Sequence, residues 1–506
     1  MKTKIYILLG LCFLACQGVH SQVVSMEMAQ QVAETFFISK TPSEYPNIIQ
    51  THSFGNREIP TMYAFSLPQG WVLVAGDKRV RPILAYSDIN GSIFPAEEDM
   101  PDGMLYLVEW YSEQIEAFRN DNAIRGTHPQ WEAYSDVNNG RAPNRSVIVA
   151  PLLTRNGNEN EWKQKGNANG YDDGNNDIDK SYNKFCPTIS NMFGSCDHAI
   201  VGCVALATAQ VMWYWQWPYA SVVQNNQQYR YYNWTLMPYR LTNSSSLSQA
   251  DMIANLLHDV GVDSKMIYLC QDSYARPTAA DSALNDIYHY TTSHVKWRSD
   301  FSNNTWINMI EEELDESRPV IYGGESSVNR NHVFVIDGYD SNDMFHVNFG
   351  NAASLNGYYS LDDIYFNDDQ LMIMGIQPDY PSCTPITIPS TDVWGTNFAI
   401  QNGGGINVGN RTITNGMRGS ILSGEYVKLT SGFKVNMGAE VYIDVKDMHC
   451  DDRAGTFTHN NEKVHQAPQK LPIPNTPSSA YKILRNGQVL IERNGHTYTL
   501  TGTEIK

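Results

Sequence analysis

The sequence predicts an α+β fold. A central unit carries helices in its first half and strands in its second, a small helix, sheet, helix unit precedes it, and a β-rich region follows. Three observations lead there. An unbroken apolar helical pattern opens at Gly202-Cys203 and stops at Pro218. A strand, turn, strand pattern runs from Val333 to Val347 around Asp337-Gly338. Past Pro381 the chain changes to short β-like runs separated by glycine. At 506 residues it exceeds a single core, and the expected boundaries are 1–21, 22–145, 146–380, 381–466 and 467–506. The 36 basic and 54 acidic residues leave a net charge of −18 with no basic stripe, which argues against a nucleic-acid partner.

Taken in order, Lys2 and Lys4, the apolar run Ile5 to Ala15 and the small or polar residues through Ser21 form a secretory signal too short to span a membrane. Val19-His20-Ser21 suits cleavage; the alternative is a lipoprotein with Cys16 acylated as a lipid anchor. No other stretch is long and apolar enough for a transmembrane helix, so the expected location is outside the cell or at its surface. Ala29, Val32, Ala33, Phe36 and Phe37 fall at helical spacing. Tyr63 to Leu67, the turn Pro68-Gln69-Gly70 and Trp71 to Asp77 form a hairpin, and Ile83 to Ser87 continue the sheet. Met104, Leu107, Val108, Tyr111, Ile115 and Phe118 mark a second amphipathic helix. From Asn120 to Arg145 the chain is polar and without period, an exposed linker open to proteolysis that carries Arg141 and Arg145.

Between Gln164 and Tyr182 lies an Asn, Asp and Gly-rich insertion with Asp172, Asp173, Asp177 and Asp179. Oxygen ligands at this density suit calcium, but their spacing is not that of an EF-hand, and a surface loop is the plainer reading. Ser248 to Leu257 and Trp306 to Leu314 are helical in pattern, and Pro319 to Tyr322 is a strand leading toward His332. Val427 to Leu429, Phe433 to Val435 and Val441 to Ile443 are short strands joined at Gly432 and Gly438. Ala467 to Ser479, with four prolines, is an extended linker, and Ile483 to Ile491 closes the chain as a hairpin on an Asn-Gly turn. Setting aside Cys12, Cys16 and Cys203 from eight cysteines leaves five, an odd number; Cys186 and Cys196 are near enough in sequence to bridge, and the pattern is no disulfide scaffold.

The chemistry starts at Cys203. A thiol at a helix N-terminus lies among unpaired N–H groups and the positive end of the dipole, which favours thiolate; the bland alternative is a small buried apolar residue. His332 follows far downstream, and a Cys with a His roughly 130 residues later is the order of papain-like peptidases. Asn348, on the strand that returns after His332, is placed to bring its carboxamide near the imidazole, while His346 reads as structural.

The words GCVALATAQVMWYW, HVFVIDGY, FHVN and NGYYSL resemble the streptopain family of bacterial cysteine peptidases. Pro151-Leu152-Leu153-Thr154, Trp162-Lys163-Gln164 and Tyr182 to Pro187 fit the same pattern, and GWVLVAGDKRVRPILAYSD resembles that family's propeptide. The resemblance implies a papain-like domain with Cys203 as nucleophile, His332 as general acid/base and no cofactor. It implies that Gln164 donates to the oxyanion together with the Cys203 N–H, and that residues 22–145 fold separately and act as an intramolecular inhibitor until cleaved. The expected substrates are proteins or peptides, with an apolar side chain favoured one residue before the scissile residue. Where the family reads HVNWGWGG this chain reads His346 to Ala353 with Phe349, Asn351, Ala352 and Ala353, so two indoles and two glycines are lost, and an aromatic ring is kept only at Phe349. The alternative is a catalytically weak homologue serving as a surface binding or adhesion protein. The segment LTSGFKVNMGAEVYIDV resembles β-rich accessory modules of secreted Bacteroidetes proteins.

Overall fold

The computed structural model describes residues 22–38, 47–120, 126–134, 146–166, 178–191, 194–223, 228–325, 331–351, 353–361, 370–445, 448, 450, 481–485, 488–493, 496–499 and 504–505. The signal segment, the linker through Arg141 and Arg145, Asp172, Asp173, Asp177 and the proline-rich stretch 467–479 lie outside them.

Helix α1, Met26–Ile38, buries Ala29, Val32, Ala33, Phe36 and Phe37, the face that the spacing marks. An antiparallel meander follows: β1, Gln50–Gly55; β2, Pro60–Leu67; β3, Gly70–Ala75; β4, Ile83–Ser87. Every residue of β3 and β4 is buried, as in strands covered on both faces. Helix α2, Asp102–Asn120, supplies that cover with Met104, Leu107, Val108, Tyr111, Ile115 and Phe118. The expected exposed linker is exposed only in part. Pro129–Tyr134 forms a 3-10 helix whose Trp131 and Tyr134 are buried, with the Trp131 indole N–H donating to the Val80 carbonyl at 2.8 Å. Two lone aromatics without period gave no signal of this.

The central unit opens with β5, Val147–Val149. Helix α3, Cys203–Trp215, is apolar on nearly every side and buried accordingly. Further on come β6, Ala220–Val223; β7, Gln228–Tyr231; α4, Leu247–Asp263, opened by a Ser246 and Gln249 capping box; and α5, Pro277–Asp286. The remaining elements are β8, His294–Trp297; α6, Asn303–Asp315; β9, Val320–Glu325; β10, Asn331–Asp340; β11, Met344–Asn348; β12, Gly357–Ser360; and β13, Leu371–Met374.

The two units share one sheet. Its path runs β1-β2-β3-β4-β12-β11-β10-β9-β13-β8, and β5 joins it on β10. The seam is β4 against β12, with Tyr86 opposite Tyr358 and Ala85 opposite Tyr359. A single apolar core spans it, from Phe36, Trp71 and Tyr111 to Phe334, Phe345 and Tyr359. The N-terminal unit is therefore patterned separately in sequence but packed continuously in space. A second core, on the other face of β10, joins α3 to α4 with Val333 and Val335.

Past Pro381 the strands do not pair with their neighbours in sequence. They are β14, Ile386–Ile388; β15, Asn397–Asn402; β16, Ile406–Val408; β17, Thr412–Ile413; β18, Arg418–Ser423; β19, Val427–Leu429; β20, Lys434–Val435; and β21, Glu440–Val445. Their pairings with one another are parallel: β14-β16-β19, β15-β18-β21 and β17-β20. Ile386 lies beside Ile406 and Ile406 beside Val427, so the chain completes one coil from Ile386 to Ile406 and the next from Ile406 to Val427. The short strands joined at Gly432 and Gly438 form as expected, and they belong to a three-coil parallel solenoid with Ile400 and Ile421 stacked inside beside Ile443. The closing hairpin forms as expected. Its strands β22, Tyr481–Arg485, and β23, Gln488–Arg493, pair antiparallel, and β22 extends the solenoid through β21.

The solenoid docks on the central unit through Gln401, whose Oε1 accepts from the Tyr219 N–H at 3.1 Å while Nε2 donates to the Ala220 carbonyl at 3.0 Å. Disulfides join Cys196 to Cys270 and Cys383 to Cys450. Cys186, the expected candidate partner of Cys196, is instead free and buried, because Cys196 faces the loop after α4.

Candidate active site

Cys203 is the first residue of α3, and Gly202 before it has φ 86°, with Ser273 O and Met266 Sδ each 2.8 Å from where a Cβ would be. Only glycine fits there. The thiol is partly exposed and takes hydrogen bonds from the Val333 and Val204 N–H groups. Even so, burial pushes its pKa up to about 11, with Asp272 and Asp102 adding to the rise and the two N–H donors opposing it. The helix N-terminus helps the thiolate, as the sequence suggests, but desolvation and two carboxylates outweigh it.

His332 stands on β10, where side chains alternate between faces. Val333 and Val335 join the core under α3; Phe334 and Ile336 join the core shared with α2. The His332 ring follows the second set, lying 6.5 Å from the Phe334 ring at 24°. No hydrogen bond joins the ring to the Cys203 thiol among the described residues; the thiol instead takes one from the N–H of Val333, the next residue along β10. The imidazole is 4% exposed, and its Nε2 has no hydrogen-bond partner among the described residues. Burial pulls its pKa down to about 4.

What covers the ring is the first turn of α2. A Cβ on Gly103 would stand 2.8 Å from His332 Nε2 and 2.8 Å from Phe349 Cδ1, so the helix backbone itself rests on both rings. Phe349 is buried beneath it, edge-on to Phe334 at 5.6 Å and Tyr359 at 5.2 Å. One turn on, Tyr106 lies over Gly324 and accepts from Gln370 Nε2 at 3.4 Å.

Asn348 is held on the α3 face. Its Oδ1 accepts from Gln210 Nε2 at 3.0 Å and from the Gly350 N–H at 3.0 Å, and its Nδ2 donates to the Asn160 carbonyl at 2.8 Å. The structure does not bring it to His332. Gln210 and Asn160 were not singled out from sequence; a buried Gln inside an apolar helix is the signal that pointed to one of them. Gln164 is half-buried, its carbonyl accepting from the Val201 N–H at 2.9 Å two residues before Cys203, and its carboxamide makes no hydrogen bond among the described residues.

His346 is buried against Asp337, Nδ1 to Oδ1 at 2.6 Å, with Glu159 3.7 Å from Nε2. Burial works to lower its pKa, but the Asp337 and Glu159 carboxylates prevail and raise it to about 9. It is a structural cation. Asp179 pairs with Lys184 at 3.6 Å, and no group of three metal-ligating side chains occurs among the described residues.

Two protein-family models match the chain: residues 177–359 match the peptidase C10 family and residues 21–115 the Spi protease inhibitor. Streptopain of Streptococcus pyogenes is 30% identical over 356 residues, covering 63% of this chain and 81% of the relative. The thiol protease/hemagglutinin PrtT of Porphyromonas gingivalis is 25% identical over 414 residues, 74% of this chain and 44% of that protein. Among solved structures, a fragment of Prevotella intermedia prointerpain A is 21% identical and covers 65% of this chain and 98% of its own, with a TM-score of 0.46.

Proposed function

Because this chain belongs to the peptidase C10 family, cysteine peptidases of the streptopain type, and carries a Spi-type inhibitor segment ahead of the peptidase, we propose that the conformation described is its latent form. Cys203 and His332 become the catalytic pair when residues 22 to about 145 leave. The observation that carries the reading is Gly103 resting on the His332 ring while the Cys203 thiol is hydrogen-bonded to the neighbouring Val333 N–H and not to the imidazole.

In the latent form both groups are neutral near pH 7, a thiol with a pKa of about 11 and an imidazole of about 4. Removing α2 uncovers His332 and Phe349 and withdraws the Asp102 carboxylate from the thiol. The uncovered ring is then free to turn about its side-chain bonds toward the Cys203 thiol, where thiolate and imidazolium stabilise each other. Asn348 already waits on the α3 face, locked by Gln210 and Asn160, to fix the ring's orientation. The thiolate attacks the peptide carbonyl carbon, and the oxyanion takes the Cys203 N–H and the free Gln164 carboxamide. His332 gives its proton to the leaving amine, then draws one from the water that opens the acyl-enzyme. The product is a secreted endopeptidase acting on unfolded or extracellular proteins, with an apolar residue favoured before the scissile residue.

A peptidyl electrophile directed at thiols tests this. It should label Cys203 in the matured chain and spare it in the uncut one. No labelling and no hydrolysis after maturation would reject the peptidase reading in favour of a binding or adhesion protein.

A further inference from the structure

The segment 264–276 between α4 and α5 forms the wall beside the nucleophile, and it is pinned at many points. Cys270 is bonded to Cys196, and Ile267 and Tyr274 exchange backbone hydrogen bonds of 2.8 and 3.1 Å. Ser273 Oγ ties to the Leu269 N–H at 2.9 Å and to the Leu269 carbonyl at 3.0 Å. The Ser273 carbonyl and Met266 Sδ press on Gly202, the residue before Cys203. Between Cys270 and Ser273 the loop presents Asp272, which is exposed. Its carboxylate has no ion pair among the described residues, although Lys265 and Arg276 belong to the same segment.

A second carboxylate faces the site from the other side. Asp102 precedes Gly103 at the start of α2, above His332. Asp102 and Asp272 bear on each other as well as on the Cys203 thiol, each acting to hold it protonated. Asp102 departs with the inhibitory segment. Asp272 stays, on a loop held by a disulfide, as an uncompensated negative charge at the edge of the uncovered cleft.

We propose that Asp272 is a specificity-determining residue that selects substrates carrying a lysine or arginine side chain beside the scissile bond. The inference deepens the peptidase reading and rests on it. A carboxylate on a loop held by a disulfide has its position set in advance, and having no ion pair among the described residues it lets an incoming cation gain attraction without first displacing another. The preference adds to the apolar one expected a residue away. It discriminates by charge, which makes it sensitive to salt.

The test uses the full chain after maturation and fluorogenic peptides in matched pairs, arginine against citrulline and lysine against norleucine, placed in turn on each side of the scissile bond. Wild-type enzyme should favour the cationic member at one of these positions. That ratio of kcat/KM should fall about fivefold in Asp272→Asn, the usual scale for a partly exposed ion pair, and invert in Asp272→Lys. It should also shrink at high salt. Ratios that Asp272→Asn leaves unchanged at both positions, with the neutral peptides cut normally, overturn the inference alone. A matured wild-type chain that cuts none of the peptides overturns the peptidase reading and this inference with it.

Discussion

Latency in this chain depends on an absent side chain, and Gly103→Ala tests it. The residue lies in the first turn of α2 with a helical backbone, so alanine by itself should favour the helix by about 1 kcal/mol. The added methyl, however, would lie 2.8 Å from both His332 Nε2 and Phe349 Cδ1, closer than any carbon tolerates. Overpacking of this kind costs about 1 to 3 kcal/mol. Subtracting the helix gain leaves about 1 kcal/mol of net destabilisation, enough to populate the uncovered state about fivefold more. His332 gives way most easily, since its ring turns about two bonds whereas Phe349 is wedged between Phe334 and Tyr359. The readouts are the initial rate of alkylation of Cys203 in the uncut chain and the half-time of self-conversion on gels at fixed low concentration. Both should speed up about fivefold, and Gly103→Leu should exceed that. Unchanged rates, together with an unaltered or higher melting temperature, would refute the account of Gly103 as the cover of the site.

Cys203→Ala and His332→Ala should each abolish hydrolysis of a casein-type substrate, and the double variant should be no worse than either, because members of one catalytic unit fail together. The pH dependence follows from His332, whose pKa of about 4 in the latent form lies below its ordinary 6.5. In that window an opened chain binds the proton and the latent one does not, so latent stability falls as pH drops from 6.5 toward 4, by about 2 kcal/mol at pH 5. Denaturant midpoints of Cys203→Ala should show this loss, and adding His332→Asn should remove it. A midpoint equally acid-sensitive with and without His332 would sink the assignment.

Much of this was legible from local pattern. The apolar run from Cys203 to Trp215 is a helix, because its own period decides its form, and the hairpin expected from Val333 to Val347 is present. Its turn is displaced: Asp337-Gly338 is a bulge inside β10, which runs on to Asp340, and the chain reverses at Ser341 to Asp343. What pairs with what was not legible. Nothing in the alternation of Tyr86 or Tyr358 announces that they meet, one early in the chain and one late, joining two units into one sheet. The face of His332 was fixed by alternation with Val333, but which face α3 would cover is a tertiary matter. The solenoid is a different failure. Gly395, Gly416 and Gly438 recur at almost equal intervals, and Ile386, Ile406 and Val427 keep nearly the same period. A search for repeats would have found it; short windows see only glycine turns. Cys270 gave no hint of its partner, since pairing depends on where two loops are carried.

The seam between β4 and β12 separates cutting from release. Tyr111 holds it from both sides, its hydroxyl donating toward the Leu84 carbonyl at 3.0 Å and the Ser360 carbonyl at 2.7 Å. Arg81 reaches across to Ser360 Oγ at 3.1 Å, Tyr86 to Asp340 at 2.7 Å, and the Tyr86 and Tyr358 rings stack at 4.9 Å. None of these contacts runs through the segment 135–145, so a cut there leaves each of them in place. It only turns a tethered inhibitor, held at an effective concentration in the millimolar range, into a free ligand that obeys mass action. On the latent-form reading, a nicked molecule then stays shut in a crowded compartment and opens on dilution, so activity is governed by how far the severed piece can spread and not by the cut itself.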